Sequence, residues 1–114
     1  GYHIGRKLGF RTANLHTPAE KLLPKDGAYA ICAHIGTATC AGMLNIGFRP
    51  TFDGMARSIE AHLFDFDKDI YHQTLQVEFI CRLRDEQRFD NINDLKQQLS
   101  NDEAEVRKIL DTHD

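Results

Sequence analysis

The segment TLQVEFICRLR, Thr74 to Arg84, decides the fold class of this chain. Every second residue of it is apolar: Leu75, Val77, Phe79, Cys81 and Leu83. A period of two is typical of a β-strand with one buried face, whereas a helix repeats every 3.6 residues. The pattern therefore predicts a strand whose apolar side chains share one face.

Three segments upstream have a similar period and predict three further strands, at 28–35, 40–48 and 58–66. The connections between the strands, 36–39, 49–54 and DKDIYHQ, are short and rich in turn residues. Four strands joined in this way predict an antiparallel meander or a small barrel. Gly42 and Gly47, inside the second strand, predict a bulge or a close approach to the backbone.

The end of the chain changes to a helical period, with apolar residues at Leu95, Leu99, Val106, Ile109 and Leu110. Ser100 followed by Glu103 fits a capping box, the usual start of a helix. We therefore predict strands up to about residue 84 and a helical tail at about 92–111, divided into helices near 92–99 and 101–111.

Length and composition fit one soluble domain over residues 1–114. Apolar residues make up 41% of the chain and charged residues 27%, which is ordinary for a globular protein. No apolar run approaches the ~20 residues that span a bilayer, so no membrane association is expected. The net charge of −3 argues against a nucleic-acid partner.

The cysteines and histidines predict no metal centre. Cys32, Cys40 and Cys81 are odd in number, widely spaced and set in hydrophobic segments. This pattern favours buried, reduced thiols in a cytoplasmic protein over disulfides or a zinc site. The six histidines include no His-x-x-x-His pair, so a transition-metal site is not expected.

The opening stretch GRKLGFRTAN, Gly5 to Asn14, has the residue types of a phosphate-binding loop. Glycines let backbone N–H groups approach an anion, and arginine or lysine compensates its charge. Thr12 and Asn14, two positions apart, offer oxygen atoms on one side of an extended chain, and Mg²⁺ prefers oxygen ligands. A solvated basic turn with local hydrogen bonds remains the commoner interpretation of each feature alone.

Two further places have candidate chemistry. Glu60 lies in the middle of the third predicted strand, where a carboxylate either faces solvent or accepts a proton inside a closed site. The second place is RLRDEQRF, with Arg84, Glu86 and Phe89. An aromatic side chain and an arginine at the end of a strand can stack on a planar ligand. The alternative is a contact at the start of the helix with a surface ion pair.

Together the blocks GRKLGFRTANL, LLPKDGAYA, NIGFRPTF, EAHLFDF, DIY and LRDEQRF resemble, in this order, the riboflavin kinase family. They are most similar to the kinase module of bacterial bifunctional riboflavin kinase/FMN adenylyltransferases. The resemblance implies a six-stranded antiparallel Greek-key β-barrel with a C-terminal helix packed beside it. It also implies phosphoryl transfer from ATP to the 5′-hydroxyl of riboflavin, giving FMN, and an N-terminal FMN adenylyltransferase domain in the full-length chain.

The resemblance also assigns roles to residues of this sequence. Glu60 would be the base that deprotonates the ribityl hydroxyl, and Thr12 and Asn14 would coordinate Mg²⁺ with the ATP phosphates. ATP would contact Gly1, Gly5, Arg6, Leu63 and Asp65. The flavin ring would be bordered by Arg84, Gln87 and Phe89. The segments 16–26 and 49–56 are expected to be flaps over the ligands.

Two departures from the family pattern leave an alternative open. Arg11 stands where the family has proline before Thr-Ala-Asn, and the family has a strand just before Gly1 that is absent here. A barrel without that strand has an open edge. The alternative is a catalytically weakened flavin- or nucleotide-binding module; an RNA-binding or single-stranded DNA-binding barrel is poorly supported by the negative net charge.

Overall fold

The computed structural model describes residues 11–14, 23–68 and 73–113. These residues form a five-stranded antiparallel sheet in the order β1-β4-β3-β2-β5, followed by a helix, α1. The elements are β1 (Arg11–Asn14), β2 (Gly27–Ile35), β3 (Ala38–Thr51), β4 (Gly54–Leu63), β5 (Gln76–Arg84) and α1 (Ile92–His113). The predicted antiparallel β architecture with a C-terminal helix is confirmed, whereas a count of six strands is not confirmed within the described residues.

The strands β3 and β4 form a longer hairpin than the sequence predicts. Residues 49–51 continue β3 instead of forming a connection, and Phe52 and Asp53 make the turn. Pro50, which lies in the predicted connection, is instead paired with Met55 near the tip of the hairpin. β4 also begins and ends earlier than predicted, at Gly54 and Leu63.

The strand β1 lies in a stretch that the sequence predicted as a loop. It pairs with β4 in a register that sets Thr12 opposite His62 and Asn14 opposite Glu60. Four residues with little apolar character are too few to show a period of two, so the pattern gave no sign of this strand. Within the described sheet β1 is one edge strand and β5 is the other.

The prediction that β5 presents one apolar face is wrong. Its pairing with β2 shifts register twice, between Ala28 and Tyr29 and between Ala30 and Ile31. Each bulge adds a residue and reverses which face the following side chains occupy. Val77 therefore packs on one side of the sheet, while Cys81 and Leu83 pack on the other.

The central strands bury side chains on both faces. The cluster on one face comprises Tyr29, Ile31, Ala33, Ile35, Leu44, Ile46, Ile59, Ala61 and Leu63. The cluster on the other face lies beneath α1 and comprises Ala28, Ala30, Met43, Phe64, Leu99 and Val106. The expected packing of a helix beside the strands is thus confirmed.

The helical tail is one continuous helix rather than two. Its start is capped by Asn91, whose Oδ1 accepts a hydrogen bond of 2.9 Å from the backbone N–H of Asp94. This is the usual arrangement of an N-cap. Ser100, which we predicted as an N-cap, lies inside the helix and is exposed to solvent. In the described part of the chain, α1 does not combine the length and apolar character that a membrane span requires.

Two further predictions have definite outcomes. Cys32, Cys40 and Cys81 are all described and free, but each is only partly buried, so the predicted burial holds only in part. Gly42 does mark a close backbone approach, because a Cβ atom there would lie 2.7 Å from the carbonyl oxygen of His62.

Candidate functional site

A cleft of about 230 Å³ opens beside the first half of α1, on the face of β3 and β4 that the helix partly covers. Its polar lining consists of Asn45, Glu60, His62, Arg84, Glu86 and Gln87. Its apolar lining consists of Met43, Phe89, Leu95 and Leu99. An apolar cleft with a few converging polar groups is the usual form of a small-molecule site.

Four residues assigned to the site from the sequence meet in this cleft. Glu60 comes from β4, Arg84 from the end of β5, and Gln87 and Phe89 from the segment that leads into α1. The fold brings them together because β4 and the end of β5 reach the same end of the sheet, next to the start of the helix. Their individual roles remain predictions.

The register of the sheet adds the two residues predicted to bind Mg²⁺ to this neighbourhood. Asn14 is the β1 partner of Glu60, and Asn45 is its β3 partner. Thr12 is the β1 partner of His62. Directly paired positions share a face of a sheet. The β1 positions 12 and 14 are therefore on the face of the sheet that carries the cleft.

Of the five residues that we assigned to ATP, the two that the structure describes, Leu63 and Asp65, are not part of the cleft lining. Leu63 is only 1% exposed and belongs to the core cluster on the opposite face. Asp65 forms the turn after β4, with a φ of 55°, and its carboxylate is 2.8 Å from the guanidinium of Arg107. Gly1, Gly5 and Arg6 lie outside the described residues.

Arg84 is held in place by a bidentate ion pair with Asp102 of α1. Its Nε donates to Asp102 Oδ1 at 3.0 Å and its Nη2 donates to Oδ2 at 2.8 Å. The side chains are 17% and 4% exposed, and Gln98 donates a further hydrogen bond of 3.0 Å to Asp102. Two-pronged pairs of this kind fix both distance and orientation. Arg84 therefore contributes a fixed cation to the wall of the cleft.

His62 is a buried histidine in the wall of the cleft. Burial lowers its pKa to about 4, because a charged imidazolium would lose its hydration there. Asp102 raises this pKa and Arg84 lowers it further, but burial is the largest effect. At neutral pH His62 is therefore uncharged.

Glu60 has a half-buried side chain. Within residues 23–68 and 73–111 the carboxylate of Glu60 has no hydrogen bond and no ion pair. A carboxylate in such a position can accept a proton from a hydroxyl group or bind a cation.

Sequence reasoning named Glu86 as a candidate without giving it a role, and it did not assign Asn45 or His62 to the site. Asn45 belongs to the block NIGFRPTF and Glu86 to LRDEQRF, so both were within motifs that we had identified. The missing signal was the register, since Asn45 joins the site as the cross-strand partner of Glu60.

Comparison with known proteins identifies the family. The family model for riboflavin kinase, Flavokinase, matches residues 1–110. A bifunctional riboflavin kinase/FMN adenylyltransferase of Haemophilus influenzae is 38% identical over 103 residues, which are 90% of this chain and 33% of that protein. The RNA-binding riboflavin kinase RibR of Bacillus subtilis is 35% identical over 109 residues, which are 95% of this chain and 46% of that protein.

A solved structure has the same fold as this chain. It is a Streptococcus pneumoniae protein described as a macrolide-efflux protein, with a TM-score of 0.83 and 36% identity. The match covers 94% of this chain and 35% of that one. This chain thus spans between a third and a half of the length of these proteins. With its motifs, its cleft and the family model in agreement, the chain belongs to the riboflavin kinase family.

Proposed function

We propose that this domain transfers the γ-phosphoryl group of ATP to the 5′-hydroxyl of riboflavin, producing FMN and ADP. The observation that carries the proposal is the meeting of Glu60 with Arg84, Gln87 and Phe89 in one cleft. A carboxylate able to accept a proton stands there beside an aromatic side chain and a fixed cation. The carboxylate can take the proton of a phosphoryl acceptor, and the aromatic side chain can stack on a planar ring system.

The apolar part of the cleft suits the isoalloxazine ring. Phe89 offers an aromatic face for stacking, and Leu95 and Leu99 from α1 add apolar surface. Gln87 has both an N–H donor and a carbonyl acceptor for the polar edge of the ring. Arg84 borders the ring with a cation that Asp102 holds in place.

The residue types at the β1 positions paired with Glu60 and His62 suit Mg²⁺. Thr12 and Asn14 offer a hydroxyl and an amide oxygen at register positions opposite His62 and Glu60, and hard oxygen donors are what Mg²⁺ binds. When bound with ATP, the ion neutralises charge on the phosphate groups. Gly1, Gly5 and Arg6 would contact the phosphates, and Leu63 and Asp65 would lie on the adenine side.

Glu60 acts on the nucleophile. Its carboxylate accepts the proton of the riboflavin 5′-hydroxyl as that oxygen bonds to the γ-phosphorus. The bond from the γ-phosphorus to the bridging oxygen breaks at the same time, and ADP leaves. Phosphoryl transfer requires positioning and charge neutralisation more than covalent help from the protein. A half-buried carboxylate next to a neutral His62 meets that requirement.

The longer protein is proposed to contain an N-terminal FMN adenylyltransferase domain, since this chain matches one third of a bifunctional relative. It is also proposed to act in the cytoplasm, where free cysteines such as Cys32, Cys40 and Cys81 are usual. Arg11 does not favour the weakened alternative. It is the first residue of β1, an edge strand of the described sheet, and proline is tolerated at such positions. The exchange of proline for arginine is therefore compatible with the same register.

Replacing Glu60 with glutamine tests the proposal. Glu60→Gln keeps the size of the side chain but removes the proton acceptor, so we expect kcat for FMN formation to fall by at least ~100-fold. Riboflavin affinity, measured by quenching of flavin fluorescence, should remain within a few-fold of the original value. FMN is separated from riboflavin by chromatography at saturating Mg-ATP.

Glu86→Gln is the matched control, because Glu86 is the other carboxylate of the cleft. It should reduce kcat much less than Glu60→Gln. A Glu60→Gln variant that still forms FMN at nearly the original rate would show that Glu60 is not the base. A loss of equal size in both variants would contradict the specific role of Glu60.

A further inference from the structure

A second cluster of functional side chains lies on the sheet away from the cleft. Its members are Cys32, His34 and Glu78. The sulfur atom of the cysteine, a ring nitrogen of the histidine and a carboxylate oxygen of the glutamate all lie within 4.8 Å of one another. The cluster lies near the end of β2, whereas the cleft is beside its start. The register shows this, because the cleft residues Met43 and Asn45 are paired with the start of β2, at Ala30 and Ala28.

The fold explains why these three residues converge. Cys32 and His34 are two positions apart on β2, so both side chains are on one face of the strand. Glu78 on β5 is the cross-strand partner of Cys32. The sequence alone did not show the set, because 44 positions separate His34 from Glu78 and only the pairing of β2 with β5 joins them.

The separations are close to those of a metal site. His34 Nε2 is 3.7 Å from Glu78 Oε1. In a tetrahedral zinc site, bonds of about 2.0–2.3 Å place neighbouring ligand atoms about 3.3–3.8 Å apart. For zinc to bind, the longest distance between two ligand atoms of the cluster, at most 4.8 Å, has to shorten by about 1 Å. The Glu78 side chain, which is 64% exposed, has the freedom to turn by that amount.

His34 is oriented as a metal ligand would be. Its Nδ1 is 3.2 Å from the hydroxyl oxygen of Thr39, on the neighbouring strand β3. With the proton on Nδ1, this nitrogen donates to Thr39 and leaves the lone pair of Nε2 on the side of Glu78. Ligating histidines commonly hydrogen-bond through their other nitrogen in this way, which fixes both ring orientation and tautomer.

We infer that Cys32, His34 and Glu78 bind a zinc ion, with solvent as the fourth ligand. Thiolate, imidazole and carboxylate are the three ligand types that zinc takes in proteins, and three protein ligands leave an open position. Zinc binds the thiolate form of cysteine, so the metal would displace a proton from Cys32 as it binds. The ion would tie the edge strand β5 to β2.

Cobalt binding provides the test, since Co²⁺ takes the place of Zn²⁺ and reports its ligands in the absorption spectrum. The chain is treated with a chelator, kept reduced with a phosphine and titrated with Co²⁺. We expect a thiolate-to-cobalt charge-transfer band that saturates at one equivalent and disappears when Zn²⁺ is added. Oxygen ligands alone, as at a magnesium site, cannot produce this band.

Variants identify the ligands. Cys32→Ser should abolish the band. Glu78→Gln should weaken zinc affinity by at least about 100-fold, because it removes a direct ligand and the loss of a mere supporting partner already costs about 10- to 100-fold. Thr39→Ala should weaken it by about 10-fold or more, because the His34 ring loses its orienting partner. Cys40→Ser is the matched control, since Cys40 packs against the core cluster on the other face and should leave the band unchanged.

Two results would overturn the inference. One is the absence of a charge-transfer band at excess Co²⁺ in the original chain. The other is an unchanged band in Cys32→Ser or unchanged zinc affinity in Glu78→Gln. Glu78 is exposed, so its variant tests the site even if Cys32→Ser fails to fold, and circular dichroism of each variant confirms that the sheet is intact.

Discussion

Asp102 is the residue on which the helix and the cleft both depend. It is buried on the face of α1 that also carries Leu99 and Val106, yet it is charged. A buried carboxylate is tolerated when a cation and further hydrogen bonds compensate for its lost hydration. Arg84 and Gln98 provide both. One ion pair therefore holds α1 against β5 and fixes a cation of the cleft.

Asp102→Ala should lower the free energy of unfolding by about 3–5 kcal/mol, because it leaves the Arg84 guanidinium without its buried partner. It should also weaken riboflavin binding, since Arg84 loses its fixed position. Urea denaturation measures the first effect and flavin fluorescence titration the second.

The neighbouring residue supplies the control for this prediction. Glu103 pairs with Arg107 at 2.7 Å on a partly exposed surface. Such pairs contribute less than about 1 kcal/mol, so Glu103→Ala should have little effect on stability or binding. Equal losses in the two variants would contradict the distinct role of Asp102.

At the scale of elements, Asp102 also explains why one helix was predicted as two. The segment SNDE has the composition of a helix start, and a charged residue interrupts the apolar period at position 102. In the structure that position is buried like its apolar neighbours, because its partner Arg84 is 18 positions away on β5. A local pattern cannot reveal a partner in another element.

The N-cap at Asn91 gives a prediction that distinguishes one continuous helix from two helices. Asn91→Ala should cost about 1 kcal/mol of stability, because the N–H of Asp94 loses its acceptor. Ser100→Ala should change stability by less than about 0.5 kcal/mol, because Ser100 is an exposed residue inside a helix. Urea unfolding curves of the two variants compare them directly, and the reverse order would restore the prediction of two helices.

The strands show which parts of a fold a sequence can predict. β2 was predicted almost to its limits, because its alternating side chains pack against two different layers. β1 was missed because it is short and weakly apolar, and its place depends on β4. The bulges of β5 depend on its pairing with β2 and have no local signature.

The residues of the candidate site could be predicted where they belong to a recognisable sequence motif. Glu60, Arg84 and Phe89 were assigned through their motifs, and the structure brings them into one cleft. Asn45 was not assigned, because it joins the site as the β3 partner of Glu60. His62 lies two positions from Glu60 in the same motif, and the structure adds that it is buried in the wall of the cleft. Pairing between distant strands is a property of the folded chain, so only the structure could add Asn45.

On the scale of the whole molecule, the sheet separates two apolar clusters, and α1 covers one of them. The radius of gyration of 13.7 Å is close to the ~13 Å expected for a compact domain of this length. The cleft lies at the edge of the sheet surface that α1 covers. Its walls include Met43 and Leu99, which belong to the apolar cluster in the layer between the helix and the sheet. A change of charge within that layer should therefore affect the stability of the entire domain.

His62 is the titratable group of this layer with a strongly shifted pKa. Its pKa is about 4 in the folded protein and about 6.5 in an unfolded chain. Above pH 6.5 both states are neutral at this residue, and its contribution to stability is fully present. Between pH 6.5 and pH 4 the unfolded state binds a proton that the folded state excludes, so stability is lost as the pH falls.

The shift corresponds to a loss of about 3 kcal/mol across this range. We expect the urea midpoint of the original chain to fall steadily from pH 6.5 to pH 4, and His62→Gln, which cannot titrate, to show a clearly shallower decline. His34→Gln, with a chelator present, is the control for replacing a more exposed histidine of the sheet. If His62→Gln had the same slope as the original chain, the lost stability would come from carboxylates alone, and the buried imidazole would not be the group that couples the cleft layer to pH.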